Sequence, residues 1–102
     1  KKKIIKKKMG WCNDSRSKKY NREISFPFKY GAETLYRKDK IYDLFINIKY
    51  NFCPVVKKKG SAIFLHLTDN KHKTTEGCVA ISKRNFMKIL PLINKNTKIS
   101  IN

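Results

Sequence analysis

No run of about 18 apolar residues occurs in this sequence, so no segment is read as a membrane span. No signal-peptide pattern is present either, and the first residue is Lys1 rather than methionine. That reads as a processed or trimmed product, and localisation cannot be taken from an address tag. Cysteine is sparse: Cys12, Cys53 and Cys78, an odd count without C-x-x-C spacing. At most one internal disulfide follows, Cys12 to Cys53, with two buried free cysteines as the more ordinary outcome. There is no internal repeat, and no low-complexity segment beyond short lysine runs. Acidic residues are few, 7 against 25 lysines and arginines, which leaves a formal net charge of +18.

What is present suits a packed fold. The 102 residues are 40% hydrophobic and include five Tyr, six Phe and one Trp. Such a chain is read as one domain, residues 1–102, burying roughly 65% of its extended surface. The charge suggests a polyanion partner, nucleic acid or an anionic wall polymer, and a non-catalytic basic module of that kind is the alternative reading. Three observations set nucleic acid aside. Lysine, asparagine and isoleucine are abundant together, as an AT-rich genome imposes on tolerant surface positions. The lysines are spread along most of the chain, and no aromatic-interleaved platform for single strands accompanies them.

Local patterning gives a mostly β chain with one principal helix. Ile4 and Ile5 between lysines suggest a short edge strand over residues 1–8. "GWCNDSRSKKYNREI" is turn-rich and reads as irregular. "TLYRKDKIYDLFINIKYN" reads as a hairpin about a charged turn at Arg37 to Lys40, with Tyr42, Leu44, Ile46 and Ile48 alternating. After a charged turn at Lys57 to Gly60, "SAIFLHL" is a short apolar run and predicts a buried strand ending near His66. "CVAI" is its expected partner across a hairpin. Ser82 predicts an N-cap, with Phe86, Ile89, Leu90 and Ile93 on one helix face and Pro91 bending or ending the helix. "TKISI" reads as a last strand.

The stretch from Gly60 to Ser82 holds one histidine at a strand end and one cysteine after a glycine. Thiolate chemistry needs a base for the proton, donors for an oxyanion and close approach by substrate. Gly77 suits the last two needs, because a residue without Cβ allows a sharp turn beside Cys78. His66 is the base in that reading, and the pairing calls for a lowered thiol pKa. The residues alone also fit a buried structural cysteine and a satisfied core histidine. His66, His72 and Cys78, spaced six apart, lack the tight ligand pairs of structural zinc, and lysines flank His72. No metal or organic cofactor is implied.

"GSAIFLH", a polar loop and "TEGCVAIS" resemble the active-site region of the YkuD-type L,D-transpeptidases, whose motif is His, a gap, then Ser/Thr-His-Gly-Cys and a hydrophobic residue. "GWCNDSRSKKYNREI" and "YDLFINIKYN" are similar to segments of the short bacterial branch of that family. The resemblance runs from about Met9 to Ile101. It implies a mostly β, YkuD-like mixed sheet sandwich or barrel, with Cys78 as nucleophile, His66 as general base and Gly77 with Cys78 as oxyanion-hole backbone. Thr75 takes the Ser/Thr position. Glu76 replaces the second motif histidine, and Ala80 stands where many members have Arg or Asn, so a substrate carboxylate needs another partner: Arg22, Lys83 or Arg84. Asn21 and Arg22 are expected to line a substrate groove, with Trp11, Asn13, Asp14 and Tyr20 as weaker members; Trp11 and Tyr20 equally suit a core. The implied partners are peptidoglycan stem peptides, with carbapenems as inhibitors. The implied location is the periplasm or cell wall, reached by an export signal that this chain does not carry.

Overall fold

The computed structural model describes residues 3–68 and 77–100. Six short strands form two three-stranded sheets. β1 (Met9–Cys12), β2 (Glu23–Ser25) and β3 (Ala32–Thr34) make an antiparallel sheet in the order β2-β1-β3. β4 (Phe45–Asn47), β5 (Phe64–Leu67) and β6 (Val79–Ile81) make a mixed sheet in the order β4-β5-β6. The helix α1 (Lys83–Ile89) and a 3-10 turn (Leu90–Leu92) follow. The fold is mostly β with one principal helix, compatible with the YkuD-like architecture.

β1 is central to its sheet, paired with β2 and β3, and Gly10 on it has no side chain. A Cβ there would lie 2.5 Å from Phe26 Cε2 and 2.9 Å from Ile24 Cδ1. The close approach lets Phe26 cross the strand, while Trp11 on the next residue enters the core. β5 is central to the second sheet and is buried along its whole length. Side chains on a strand alternate between faces, and β5 uses both. Phe64 packs with Trp11, Leu35, Tyr42 and Ala62 on one side, and Leu65 and Leu67 pack with Phe86 of α1 on the other. An aromatic edge joins the two sheets, with the Phe64 ring centroid 5.0 Å from Trp11, and Tyr42 and Phe45 extend the cluster at 5.5 Å and 4.7 Å from Phe64.

The helix begins as its sequence predicts. Ser82 is extended, and its hydroxyl accepts from the Asn85 amide at 3.2 Å. At the other end Pro91 has no N–H to continue the ladder, and the chain tightens into the 3-10 turn. Phe86 is the buried residue of α1, and burying such a ring contributes roughly 1.5–3 kcal/mol.

Several local expectations are corrected. Residues 3–8 form no strand; the chain turns at Lys7 and Lys8, and the strand starts at Met9. "GWC" belongs to that strand rather than to an irregular segment. Leu35 to Ile48 is not a hairpin: β3 pairs with β1 and β4 pairs with β5, in different sheets. The alternation itself was informative, since Leu44, Ile46 and Ile48 pack on the α1 side. β5 and β6 are parallel, not the arms of a hairpin. Thr97 to Ser100 carry no strand. All three cysteines are free, and Cys53 is exposed rather than buried.

Candidate active site

The parallel register of β5 and β6 sets the geometry. His66 is paired with Ala80 and Leu65 with Val79, so Cys78 precedes β6 by one residue and shares the Ala80 face. It stands two residues, roughly 6.6 Å, along the strand direction from His66's partner. His66 and Phe45 are cross-strand partners on the other side. His66 therefore lies on the aromatic face of the sheet, with the Leu65, Leu67 and Phe86 cluster behind it.

His66 is buried, 6% exposed. Its Nδ1 lies 2.7 Å from the Leu67 carbonyl oxygen. A carbonyl can only accept, so Nδ1 carries a proton, and in the neutral tautomer Nε2 carries the lone pair. With Nδ1 engaged in this way, Nε2 is the ring nitrogen left to exchange a proton. Tyr42 meets the imidazole edge-on, centroids 5.4 Å apart at 81°. Its hydroxyl donates to the Glu33 carboxylate in a short hydrogen bond. Burial, and then that hydrogen bond, push the phenol far above its ordinary value, so Tyr42 remains neutral. Arg37 completes the cluster, 3.8 Å from Glu33 and 2.5 Å from Asp39.

The Cys78 thiol is half-buried. Its Sγ donates to the Ala62 carbonyl at 3.1 Å and accepts from the Phe64 amide at 3.4 Å. Burial pushes the thiol pKa up, the Phe64 N–H acts against that, and the negative charge of Glu33 adds to the rise. The direction is opposite to the expected lowering: the surroundings of Cys78 favour the protonated thiol. Gly77, exposed, has φ +96, and a Cβ there would meet Ile63 Cδ1 at 3.0 Å. Both backbone conformation and space favour glycine beside the cysteine.

The remaining expected site residues divide. Thr75 lies outside the described residues, as do Glu76 and His72. Arg84 and Lys83 are exposed in the first turn of α1, directly after β6. Arg22 is half-buried, its guanidinium donating to Asn21 O and Phe52 O and lying 4.3 Å from the Phe52 ring centroid. Asn21 is turned inward, with its amide oxygen on Trp11 Nε1 and the Ala62 amide, and its amide nitrogen on Tyr50 O and Asn51 O. Trp11 and Tyr20 are core, Asn13 is exposed, and Asp14 pairs with Arg16 at 2.6 Å. Glu33, Tyr42 and Ala62 had no place in the sequence reading of the site. Tyr42 was visible only as one member of an alternating strand, and nothing local marks Glu33 or the left-handed Ala62.

Comparison with curated proteins and with solved structures gave no match. A sequence profile of the YkuD family, described as the L,D-transpeptidase catalytic domain, matches residues 3–101. That match spans nearly the whole chain, and the chain belongs to the YkuD family of L,D-transpeptidase catalytic domains.

Proposed function

We propose that this protein is a cysteine acyltransferase acting on peptidoglycan stem peptides, outside the cytoplasm, with residues 1–102 working as one catalytic domain. The observation that carries the reading is the imidazole of His66. It is fixed by the Leu67 carbonyl as the Nδ1–H tautomer on the strand beside Cys78. A base prepared in this way complements a thiol that burial keeps neutral. As substrate enters, His66 Nε2 takes the Cys78 proton while Sγ attacks the carbonyl of the third, diamino-acid residue. The carbonyl oxygen gains the electron pair and is met by the Gly77 and Cys78 backbone amides. Collapse of that intermediate breaks the bond to the terminal D-alanine, whose nitrogen receives the proton from His66. A thioester on Cys78 remains. An amine of a neighbouring stem resolves it to a cross-link, and water resolves it to a shortened peptide.

The substrate carboxylate falls to Arg22, Arg84 or Lys83, since Ala80 offers only a methyl group beside His66. Thr75, at the family's Ser/Thr position, is assigned to substrate binding. Neither metal nor organic cofactor enters the chemistry. Incubation with purified muropeptides followed by mass analysis tests the proposal. Release of terminal D-alanine with a cross-linked or shortened product supports it, and unchanged muropeptides refute it.

A further inference from the structure

We propose that Asn21 is a positioning residue for the Cys78 thiol, acting through the left-handed peptide at Ala62. The inference rests on the acyl-transfer reading for its meaning in turnover, while its main test reads the thiol alone. A primary amide has two donors and two acceptor sites, and Asn21 uses all four inside the protein. Its Oδ1 accepts from Trp11 Nε1 at 3.0 Å and from the Ala62 amide at 3.2 Å. Its Nδ2 donates to Tyr50 O at 3.1 Å and Asn51 O at 2.6 Å. The side chain is 3% exposed. It has no hydrogen-bonding position left for a substrate, so the expected groove-lining role gives way to an internal one.

What Asn21 holds is unusual. Ala62 has φ 58, a conformation that residues with a Cβ rarely occupy unless their surroundings enforce it. Two anchors enforce it here: the Asn21 oxygen on the Ala62 amide, and the Ser61 hydroxyl on Cys12 O at 2.8 Å. The resulting peptide presents the Ala62 carbonyl to the Cys78 Sγ–H at 3.1 Å. The path is continuous from Trp11 through Asn21 and Ala62 to the nucleophile. An acceptor on the thiol stabilises its neutral form and fixes the direction of Sγ. Among the other groups that bear on the thiol are Glu33 from β3, Tyr42 from the segment before β4, and the Phe64 amide from β5. Substitution at position 21 leaves each of them in place.

Two variants of the full chain test the idea. Asn21→Gly accepts the residue's own left-handed φ of 59 without strain and deletes only the side chain. Asn21→Asp keeps the acceptor oxygen for Trp11 and Ala62, loses the two amide donors to Tyr50 O and Asn51 O, and adds negative charge. The readout is the pH profile of iodoacetamide labelling at Cys78, located by peptide mass. Buried Cys12 reports folding by staying unlabelled. Asn21→Gly should lower the Cys78 midpoint by about half a pH unit. Labelling at a pH below the midpoint then speeds up about twofold, because the lower pKa also weakens the nucleophile. Stem-peptide turnover should fall roughly tenfold, mainly in kcat, because Sγ is no longer aimed. Asn21→Asp should hold the midpoint at or above the parent's.

A merely structural role would move both variants alike. A folded Asn21→Gly protein with the parent's midpoint would overturn the proposal, as would an Asn21→Asp midpoint below the parent's. If Asn21→Gly does not fold, the Asn21→Asp midpoint decides alone by the same criterion. If the parent turns over no stem peptide, the acyl-transfer reading fails, and the labelling profiles still decide this one.

Discussion

His66 reaches its partners from the middle of a buried strand, so its replacement separates chemistry from reactivity. Cys78→Ala should abolish acyl transfer. His66→Ala should lower turnover by at least roughly a hundredfold, the common scale for a general base. It should still allow slow acylation by very reactive β-lactams, since a small fraction of thiolate forms without a base. Steady-state turnover on muropeptides, with circular dichroism as the folding control, checks both variants. Parental turnover in His66→Ala would place the base elsewhere. At this scale the sequence was a poor guide to environment. Gly77, Cys78 and His66 drew notice because glycine beside cysteine and an apolar run before histidine are local patterns. The upward push on the thiol was not legible, because it comes from burial and from Glu33, which is 45 residues away in sequence. Asn21 drew notice as polar and close to Arg22, but its four internal partners come from segments 10 to 41 residues distant.

Elements were legible where one strand or helix declares itself, and illegible where the partner matters. The run "FLHL", the cap at Ser82 and the stop at Pro91 each depend on neighbouring residues alone. The parallel pairing of β5 with β6, and the placement of β3 and β4 in separate sheets, depend on contacts across the chain; alternation fixes the face of a strand and not its neighbour. α1 supports the site from behind, since Phe86 packs on Leu65 and Leu67 while His66 and Phe64 face forward. Phe86→Ala should therefore destabilise the protein by about 3–5 kcal/mol, measured by urea unfolding. A loss below about 1 kcal/mol would mean that the helix is not holding β5.

The loop after β1 has its own tie. Asp14 accepts from the Gly31 amide at 3.0 Å and from Arg16, and these contacts hold its carboxyl well below the ordinary 3.8. A depressed folded-state pKa contributes stability that is present above the unfolded value and lost as pH falls toward the folded one. The urea midpoint of the parent should exceed that of Asp14→Asn at neutral pH and converge on it as pH falls below about 3.8. A gap that stays constant across that range would show that the carboxylate charge is not what ties the loop.

At the scale of the whole molecule the charge of +18 is the largest single feature of the sequence, yet among the described residues there are four ion pairs and the lysines are exposed. Duplex DNA should be bound weakly and without sequence preference, with affinity falling steeply between roughly 50 and 200 mM salt as counterions are released. Fluorescence anisotropy across that range checks this, and tight, sequence-selective binding at the upper end would favour a basic module over an enzyme. The central claim is that one of three free thiols, Cys78, performs acyl transfer. Intact-mass and peptide-mass analysis after exposure to a carbapenem tests it most directly, because opening the strained lactam repeats the first step on a stem peptide and uses the same oxyanion donors. The account predicts a stable one-to-one adduct on the peptide containing Cys78, absent from those containing Cys12 and Cys53 and lost in Cys78→Ala. No adduct on the folded protein, or equal labelling of all three cysteines, would contradict it.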